Sequence, residues 1–260
     1  MTPIRPKVSC IIPAYNRFDH FSRCLLSVIA QDVTEIEIIV SDDSTSEDIR
    51  HFTRAIQIHE PRVVYVDGPR SGRPVDNWNH GLSAARGEFL YIIHQDEFLI
   101  DPTFLSRAVA HLEKTGADTV FGHIIPLAIS RNSNFLSIKR IALALGLKPW
   151  TLYAINWIGP TATMVFRASA EKLFDDRLVN TVDVDFYYRF IGPNGRPDFI
   201  PGLSVSGLGH HDAQITAKID THRASLAEIA NIISRRPGID QIKKSLLLTY
   251  WKIRRSLNKK

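Results

Sequence analysis

The amino-acid sequence predicts an α/β protein with a mostly parallel central sheet and helices on both faces. Three observations predict it. Short apolar, β-branched runs alternate with stretches whose apolar residues recur every three or four positions, the spacing of one helix face. Strand after helix after strand at this spacing implies parallel pairing with both sheet faces covered. The chain is also 44% hydrophobic and 23% charged over 260 residues, an ordinary globular balance that can bury a core and that excludes disordered and fibrous classes.

The elements follow in order. Val8 to Ile12 reads as a buried strand ended by Pro13, and Phe18, Phe21, Leu25, Val28 and Ile29 then stripe a helix. Ile36, Ile38, Ile39 and Val40 form a second strand that stops at Ser41-Asp42-Asp43. Ser44 with Glu47 three residues on matches a capping box, which predicts a helix opening there and running through Ile49, Phe52 and Ile56. Val63 to Val66 make a third strand. Val75, Trp78, Leu82 and Ala85 stripe a third helix, with Trp78 in the core and Gly87 placed to cap it. Glu88 to His94 supply a fourth strand, and a helix from Pro102 through Leu105, Val109 and Leu112 stops at Gly116. Beyond about Phe121 the pattern changes. Residues 130–158 turn basic, then aliphatic (Ile141, Leu143, Leu145, Leu147), then aromatic (Trp150, Tyr153, Trp157), which reads as a helical insertion. Thr163 to Arg167 resume a strand, Asp183 to Phe190 begin a helix, and a loop rich in Gly and Pro is expected from Gly192 to Gly209.

Charge and cysteine content bound the partners. The net charge of +5 is too modest to argue for a nucleic-acid partner. Residues 239–260, however, hold seven basic residues against the single acid Asp240, a local net charge of +6 that leaves the other 238 residues at −1. Ile239, Ile242, Leu246, Tyr250, Ile253 and Leu257 recur at helical spacing through that segment, predicting an apolar stripe beside basic residues. Either the stripe packs the helix onto the domain, or it rests on an anionic membrane, where each basic residue is worth about 1 kcal/mol. Cys10 and Cys24 are too few for a disulfide framework or a four-cysteine zinc site and read as packing residues, which fits a reducing compartment. No export signal is expected at the N-terminus, and Ile141 to Leu147 falls well short of the roughly 18–20 apolar residues of a membrane span. The expectation is a cytoplasmic protein, peripheral at most to the inner face of the plasma membrane.

Ligands of parallel α/β sheets sit beyond the C-terminal strand ends. Three polar clusters belong at that edge: Pro13-Ala14-Tyr15-Asn16-Arg17, Ser41-Asp42-Asp43-Ser44 and His94-Gln95-Asp96-Glu97. Converging carboxylates repel unless a cation or a donor-rich ligand lies between them, and hard oxygen donors suit Mg²⁺ or Mn²⁺.

With these residues in view the sequence resembles the family 2 glycosyltransferases. Val8-Ser-Cys-Ile-Ile-Pro-Ala-Tyr-Asn-Arg17, then Leu26-Ser27 and Gln31, then Glu37-Ile-Ile-Val-Ser-Asp-Asp-Ser-Thr45 look like the opening of that family. Asn77-Trp-Asn-His-Gly-Leu-Ser-Ala-Ala-Arg-Gly-Glu88, Gln95-Asp-Glu97 and Pro102 continue the match in order. The match is strong over about 7–115 and weak over 160–190. The resemblance implies a Rossmann-like GT-A fold over residues 1–220. Its nucleotide-sugar half would cover about 1–122 and its acceptor half about 123–220, with a basic helical tail at 221–260.

It further implies a metal-dependent enzyme that transfers a sugar, with inversion, from a nucleotide-diphospho-sugar, a UDP-sugar being favoured, to an acceptor hydroxyl. Cell-surface polysaccharide, lipopolysaccharide or glycolipid synthesis is the implied setting, with a glycan or lipid-linked acceptor. Pro13, Ala14, Tyr15 and Arg17 would line the nucleoside pocket, with Asp43 on the base and Asp42 supporting it. Asn77, Arg70 and Arg73 join them on the donor side. The family's metal motif is Asp-any-Asp; here it reads His94-Gln95-Asp96, so Asp96 is the implied ligand of Mn²⁺ or Mg²⁺ through the diphosphate, with His94, His210 and His211 as further candidates. Glu97 falls on the acceptor side, and the aliphatic and aromatic content of the insertion, apart from the resemblance, leads to the expectation that Trp157 lies there too. Asp183 is the implied general base although Val182 replaces the family's Glu, and Asp185 competes with it.

Two other readings remain. The eroded metal motif and the missing Glu motivate a non-catalytic, sugar-nucleotide-binding scaffold. A nucleotidyltransferase on a similar sheet would want a Gly-rich basic loop where Pro13 to Arg17 stand. Dinucleotide oxidoreduction lacks its GxGxxG turn.

Overall fold

The computed structural model describes residues 5–126, 146–169, 173–195, 197–207 and 220–257. The chain divides into two compact units, Met1–Ala128 with Gly159–Leu173 and Pro197–Leu208, and Ile129–Ile158 with Phe174–Arg196 and Gly209–Lys260.

The first unit carries an eight-stranded sheet in the order β3-β2-β1-β4-β7-β6-β8-β5. Its strands are β1 (Val8–Ala14), β2 (Ile36–Asp42), β3 (Val63–Asp67), β4 (Phe89–Ile92), β5 (Glu97–Leu99), β6 (Thr119–Pro126), β7 (Met164–Arg167) and β8 (Asp198–Gly207). β3, β2, β1 and β4 are parallel, as is the β6–β8 pair, whereas β7 and β5 run antiparallel to their neighbours. β1 and β2 are buried along their whole length, which explains their unbroken apolar runs. Alternate residues serve opposite faces: Cys10 and Ile12 join the core with Phe21, Leu25 and Val28 of α1 (Phe18–Ile29) and Leu105 and Val109 of α4 (Phe104–Thr115). Ile11 points the other way, toward α3 (Pro74–Ala84), where Gly81 lets the helix sit so close that an added Cβ would fall 2.6 Å from Ile11 Cγ2. Helix α2 (Asp48–Gln57) packs on β3. Cys10 and Cys24 are fully buried free thiols whose pKa burial pushes far up.

The second unit is helical in its described residues. It holds a 3₁₀ turn at Pro149–Tyr153, α5 (Val182–Ile191), α6 (Thr221–Asn231) and α7 (Gln241–Leu257). Phe174 stacks on Phe186 with ring centroids 4.2 Å apart, and the Trp251 indole of α7 donates to the Tyr153 carbonyl oxygen at 2.9 Å. Among the described residues no helix is long and apolar enough to cross a membrane.

Several expectations are corrected by what surrounds them. Ser44 is not a helix cap: α2 opens at Asp48 behind Glu47 with no side-chain cap, because the Ser44 hydroxyl accepts from the Asn16 backbone N–H instead. Gly87 does not end α3, whose cap is Ala85 in an extended conformation; the glycine lets the chain pass Ser9, where a Cβ would lie 2.5 Å from the backbone nitrogen. Trp78 is half-exposed rather than core, and Asn77 holds the buried position beside it. The expected loop from Gly192 contains β8, since pairing with β6 and β5 overrides the turn signals of Pro201 and Gly202. Of the expected stripe Ile239 is buried and Tyr250 half-buried, but Ile242, Leu246, Ile253 and Leu257 are exposed, and Leu247 and Trp251 are the residues of α7 that are buried. Of the expected helical insertion, residues 130–145 lie outside the described residues, and the described remainder, 146–158, holds a 3₁₀ turn at Pro149–Tyr153.

Candidate functional site

In-register parallel pairing puts Ala14 beside Asp42 and Asp42 beside Asp67, so the ends of β1, β2 and β3 fall on one edge. The loops that leave those strands are tied to one another. The Asp43 N–H donates to Ala14 O at 3.0 Å, and Asn16 Oδ1 accepts from the Thr45 N–H at 2.8 Å. Gln95 clasps the backbone of Tyr15 in both directions, accepting from its N–H at 2.9 Å and donating to its carbonyl at 3.0 Å. Asn16 adopts φ 53°, a left-handed value Asn tolerates, and its two loop bonds hold it there. The polar clusters led by Tyr15, Asp43 and Gln95 therefore share one surface of the first unit.

Within that surface the two aspartates differ. Asp42 is buried and spent: Oδ2 accepts from the Tyr65 hydroxyl at 2.9 Å and Oδ1 from the Ser44 N–H at 3.0 Å. Burial and the adjacent Asp42 raise the Tyr65 pKa, against the opposing pull of Arg50. Asp43 is 8% exposed; its Oδ1 accepts from the Arg70 N–H, and Oδ2 has no partner among the described residues. That bond holds Arg70 in a left-handed conformation, φ 53°, unusual for a long side chain. Gly68 makes the approach possible, because a Cβ there would sit 2.8 Å from Asp42 C, Asp42 O and Asp43 Cα.

Asn77 was expected to touch the donor, yet it is buried and its amide is used inside the protein, donating to Ser41 O at 3.0 Å and Ala14 O at 3.3 Å while Oδ1 accepts from the Ser41 hydroxyl. Pro13 and Ala14 are buried in β1, whereas Tyr15, Arg17, Arg70 and Arg73 are exposed around the edge. Arg73 lies 3.6 Å from Asp76. His94 sits with its ring 4.8 Å from that of Trp78. Glu97 is buried, and Oε2 accepts from the His94 N–H at 2.9 Å, so this carboxylate closes its own turn. Asp96 is half-buried in that turn.

The fit to a divalent cation follows from this donor set. Among the described residues no three His, Cys, Asp or Glu side chains cluster to hold a metal. A small hard cation needs fewer protein ligands when a diphosphate and water complete its shell, one or two carboxylates sufficing. Asp96, with His94 beside it in the same turn, offers that much. His210 and His211 lie outside the described residues.

In the second unit Asp183 and Asp185 occupy the first turn of α5, where a helix N-terminus favours carboxylates. Asp185 has 0% exposure. Oδ1 accepts from Tyr153 Oη at 2.9 Å and Arg236 Nε at 2.7 Å; Oδ2 accepts from Arg236 Nη2 at 2.8 Å and Arg189 Nε at 3.1 Å. Burial opposes the charge on Arg236, but Asp185 and then Asp175 hold its pKa above the ordinary value. Asp183 is half-buried. The loop leading into it is held by Glu228 of α6, whose carboxylate accepts from Val179 N, Asn180 N, Thr181 N and the Thr181 hydroxyl at 2.6–3.0 Å. Trp157 is buried and its indole donates to Thr151 Oγ1 at 3.1 Å. Arg236 and Glu228 have no local sequence signal, for each acts on residues about fifty positions upstream. Gly68 carried one that reading in periodicities passes over, a glycine just past a strand end.

The sequence model of the glycosyl transferase family 2 matches residues 9–174. A GalNAc(5)-diNAcBac-PP-undecaprenol β-1,3-glucosyltransferase of Campylobacter jejuni is 34% identical over 96 residues, 36% of this chain and 31% of that protein. This chain spans about a third of the length of three curated relatives it matches, 31%, 34% and 38%, and 64% of a Mycobacterium tuberculosis relative that is 28% identical. Among solved structures, S. aureus TarS 1–349 in complex with UDP-GlcNAc superposes with a TM-score of 0.69 at 18% identity, covering 95% of this chain and 71% of that one. The mannosyltransferase PcManGT of Pyrobaculum calidifontis, in complex with GDP-Man and Mn²⁺, gives 0.65 at 17% identity over 96% and 74%. At such identities the likeness is one of fold, and the fold is GT-A.

Proposed function

Because the chain belongs to glycosyl transferase family 2, we propose that it transfers a sugar from a nucleotide-diphospho-sugar to an acceptor hydroxyl with inversion, in the synthesis of a polysaccharide or glycolipid. The observation that carries the reading is the tied strand-end edge, where three loops present Tyr15, Asp43 and the His94–Asp96 turn together. Asp43, with one oxygen fixed by Arg70 N–H, accepts from the imide of a uracil-like base, and Tyr15, exposed beside it, packs against the nucleoside. A UDP-sugar is the favoured donor, in keeping with the UDP-GlcNAc bound by TarS. Asp42 and Asn77 position rather than touch: they fix the strand ends from which Asp43 and Tyr15 project.

Arg17, Arg70 and Arg73 supply cationic donors toward the diphosphate from the exposed rim. Asp96 and His94 would hold Mn²⁺ or Mg²⁺ against the diphosphate, and the chemistry such a cation supplies is neutralisation of the charge on the departing nucleoside diphosphate. Asp183 takes the proton from the attacking hydroxyl as it adds to the anomeric carbon, and attack opposite the leaving group inverts that centre. Asp185 is unsuited to this step, since burial and four donors leave no oxygen for an acceptor. A lipid-linked or growing glycan acceptor is proposed from the lipid-linked substrate named for the C. jejuni relative.

The test incubates the protein with a nucleotide-sugar panel, Mn²⁺ or Mg²⁺ and candidate acceptors, and measures nucleoside diphosphate release. Turnover with a UDP-sugar is expected, and Asp183→Asn should lower it by about 10²–10⁴-fold with nucleotide affinity unchanged. Unchanged turnover in that variant would remove Asp183 from the role. Binding without turnover across the panel would favour the non-catalytic scaffold that the eroded metal motif motivates.

A further inference from the structure

Helix α7 has two apolar faces, and one of them faces solvent. Leu247 and Trp251 are buried and fasten the helix, Trp251 through its indole bond to Tyr153 O. Ile242, Leu246, Ile253 and Leu257 are 73%, 53%, 55% and 66% exposed. At about 100° per residue those four fall within roughly 60° of arc, centred about 130° from the packed face. The stripe runs nearly the length of the 17-residue helix. An isolated exposed leucine needs no explanation, but four aligned large aliphatics do.

The charges around the stripe indicate what covers it. The helix contains Lys243, Lys244, Lys252, Arg254 and Arg255 and no acidic residue. Arg254 and Lys252 lie about a quarter-turn to either side of the stripe on the same helical wheel, both exposed. On the Lys252 side, Lys252, Arg255 and Ser256 line a shallow groove with Leu226 of α6. Lys243 is partly spent, donating to Gly238 O at 2.6 Å and pairing with Asp240, and Arg255 falls on the far side of the wheel, so Lys252 and Arg254, the latter also donating to the Tyr250 hydroxyl at 3.2 Å, are the exposed cations that frame the stripe. Long basic side chains flanking an apolar ridge are placed to reach phosphate groups while the ridge enters the acyl boundary. A protein groove would match the apolar ridge but calls for no excess of one charge sign along both flanks.

We infer that α7 docks on an anionic lipid surface, its Ile242–Leu246–Ile253–Leu257 ridge entering the bilayer interface and Lys252 and Arg254 contacting lipid phosphates. The helix is already folded and anchored by its opposite face, so docking requires no ordering of the chain. The inference is independent of the transferase chemistry, and its readout does not depend on turnover.

The experiment is co-sedimentation of the full chain with vesicles of phosphatidylglycerol and phosphatidylcholine, and with vesicles of phosphatidylcholine alone, across a salt series. Binding is expected on the anionic vesicles only and should weaken with salt. Leu246→Ser with Ile253→Ser should lower the partition coefficient at least about tenfold, with an unchanged melting temperature because both side chains are exposed. Lys252→Glu with Arg254→Glu should lower it on anionic vesicles to the level seen on neutral ones. Absence of binding to anionic vesicles, equal binding to neutral ones, or undiminished binding by the serine variant would overturn the inference. So would a concentration-dependent dimer, formed without lipid and abolished by the serine variant, which would make a second copy the occupant.

Discussion

Each unit of the molecule holds a pair of neighbouring aspartates of which one, Asp42 or Asp185, is buried and saturated by the fold, and the two are held differently. In the first unit Asp42 is consumed by near neighbours, the Tyr65 hydroxyl on the adjacent strand and a backbone N–H two residues on. In the second, Asp185 is consumed mainly by Arg236, a side chain contributed from 51 residues away. Losing a neutral donor leaves one oxygen of a buried carboxylate unsatisfied, whereas a buried ion pair that loses its cation leaves an uncompensated charge, which costs more. The same outcome, a buried carboxylate held in place, is thus reached by local pairing in one unit and by long-range charge in the other.

The sharpest way to break the comparison is Arg236→Ala. Asp185 would keep Tyr153 and Arg189 but lose the guanidinium that bridges it to Asp175, and a loss of about 3–5 kcal/mol is expected, measured by denaturant unfolding. In the first unit Tyr65→Phe removes one neutral donor from the buried Asp42 carboxylate and should cost about 1.5–3 kcal/mol in the same unfolding measurement. Gly68→Ala forces a Cβ against Asp42 and Asp43, for which about 1–3 kcal/mol is expected, together with weaker nucleotide binding by calorimetry.

The smallest effect is in acid. Hydrogen bonds from Arg177, and then Arg236, hold the Asp175 carboxyl below its ordinary pKa. Its contribution is therefore present in full above the ordinary carboxylate range, about pH 4, and is lost as pH falls through its lower folded value. Arg177 is largely exposed, which weakens the pair by solvent screening. A modest fall in melting temperature below that range is expected, flattened in Asp175→Asn.

Legibility in the sequence divides along the same line. The parallel strands and their helices were readable because β1 and β2 are apolar at every position that matters and their partners follow in order. The polar strand-end clusters were readable, although pattern alone could not separate Asn77 and Asp42, whose side chains bond within the edge, from Tyr15, which is exposed on it. Ser44 shows why: the Ser-to-Glu spacing of a cap was present, but the hydroxyl found a better-placed donor in Asn16, a residue of another loop. β8 was hidden because Pro201 and Gly202 signal a turn, and only pairing with β6 and β5 makes those residues a strand. In the second unit, Arg236, Glu228 and the inward face of α7 depend on partners tens of residues away. The regular spacing of Ile239, Ile242, Leu246, Tyr250, Ile253 and Leu257 left open whether the stripe packs or faces outward, since periodicity reveals a stripe but not which stripe is covered.

The buried thiols give the two units separate voices in an unfolding experiment. Both cysteines of the chain, Cys10 and Cys24, lie in the first unit under full burial, and three of its four tryptophans, Trp150, Trp157 and Trp251, lie in the second. A thiol reagent will modify the chain only as fast as the sheet core opens, while indole fluorescence follows mainly the helical unit. One unlabelled, unmutated sample therefore reports whether the two open together or in turn.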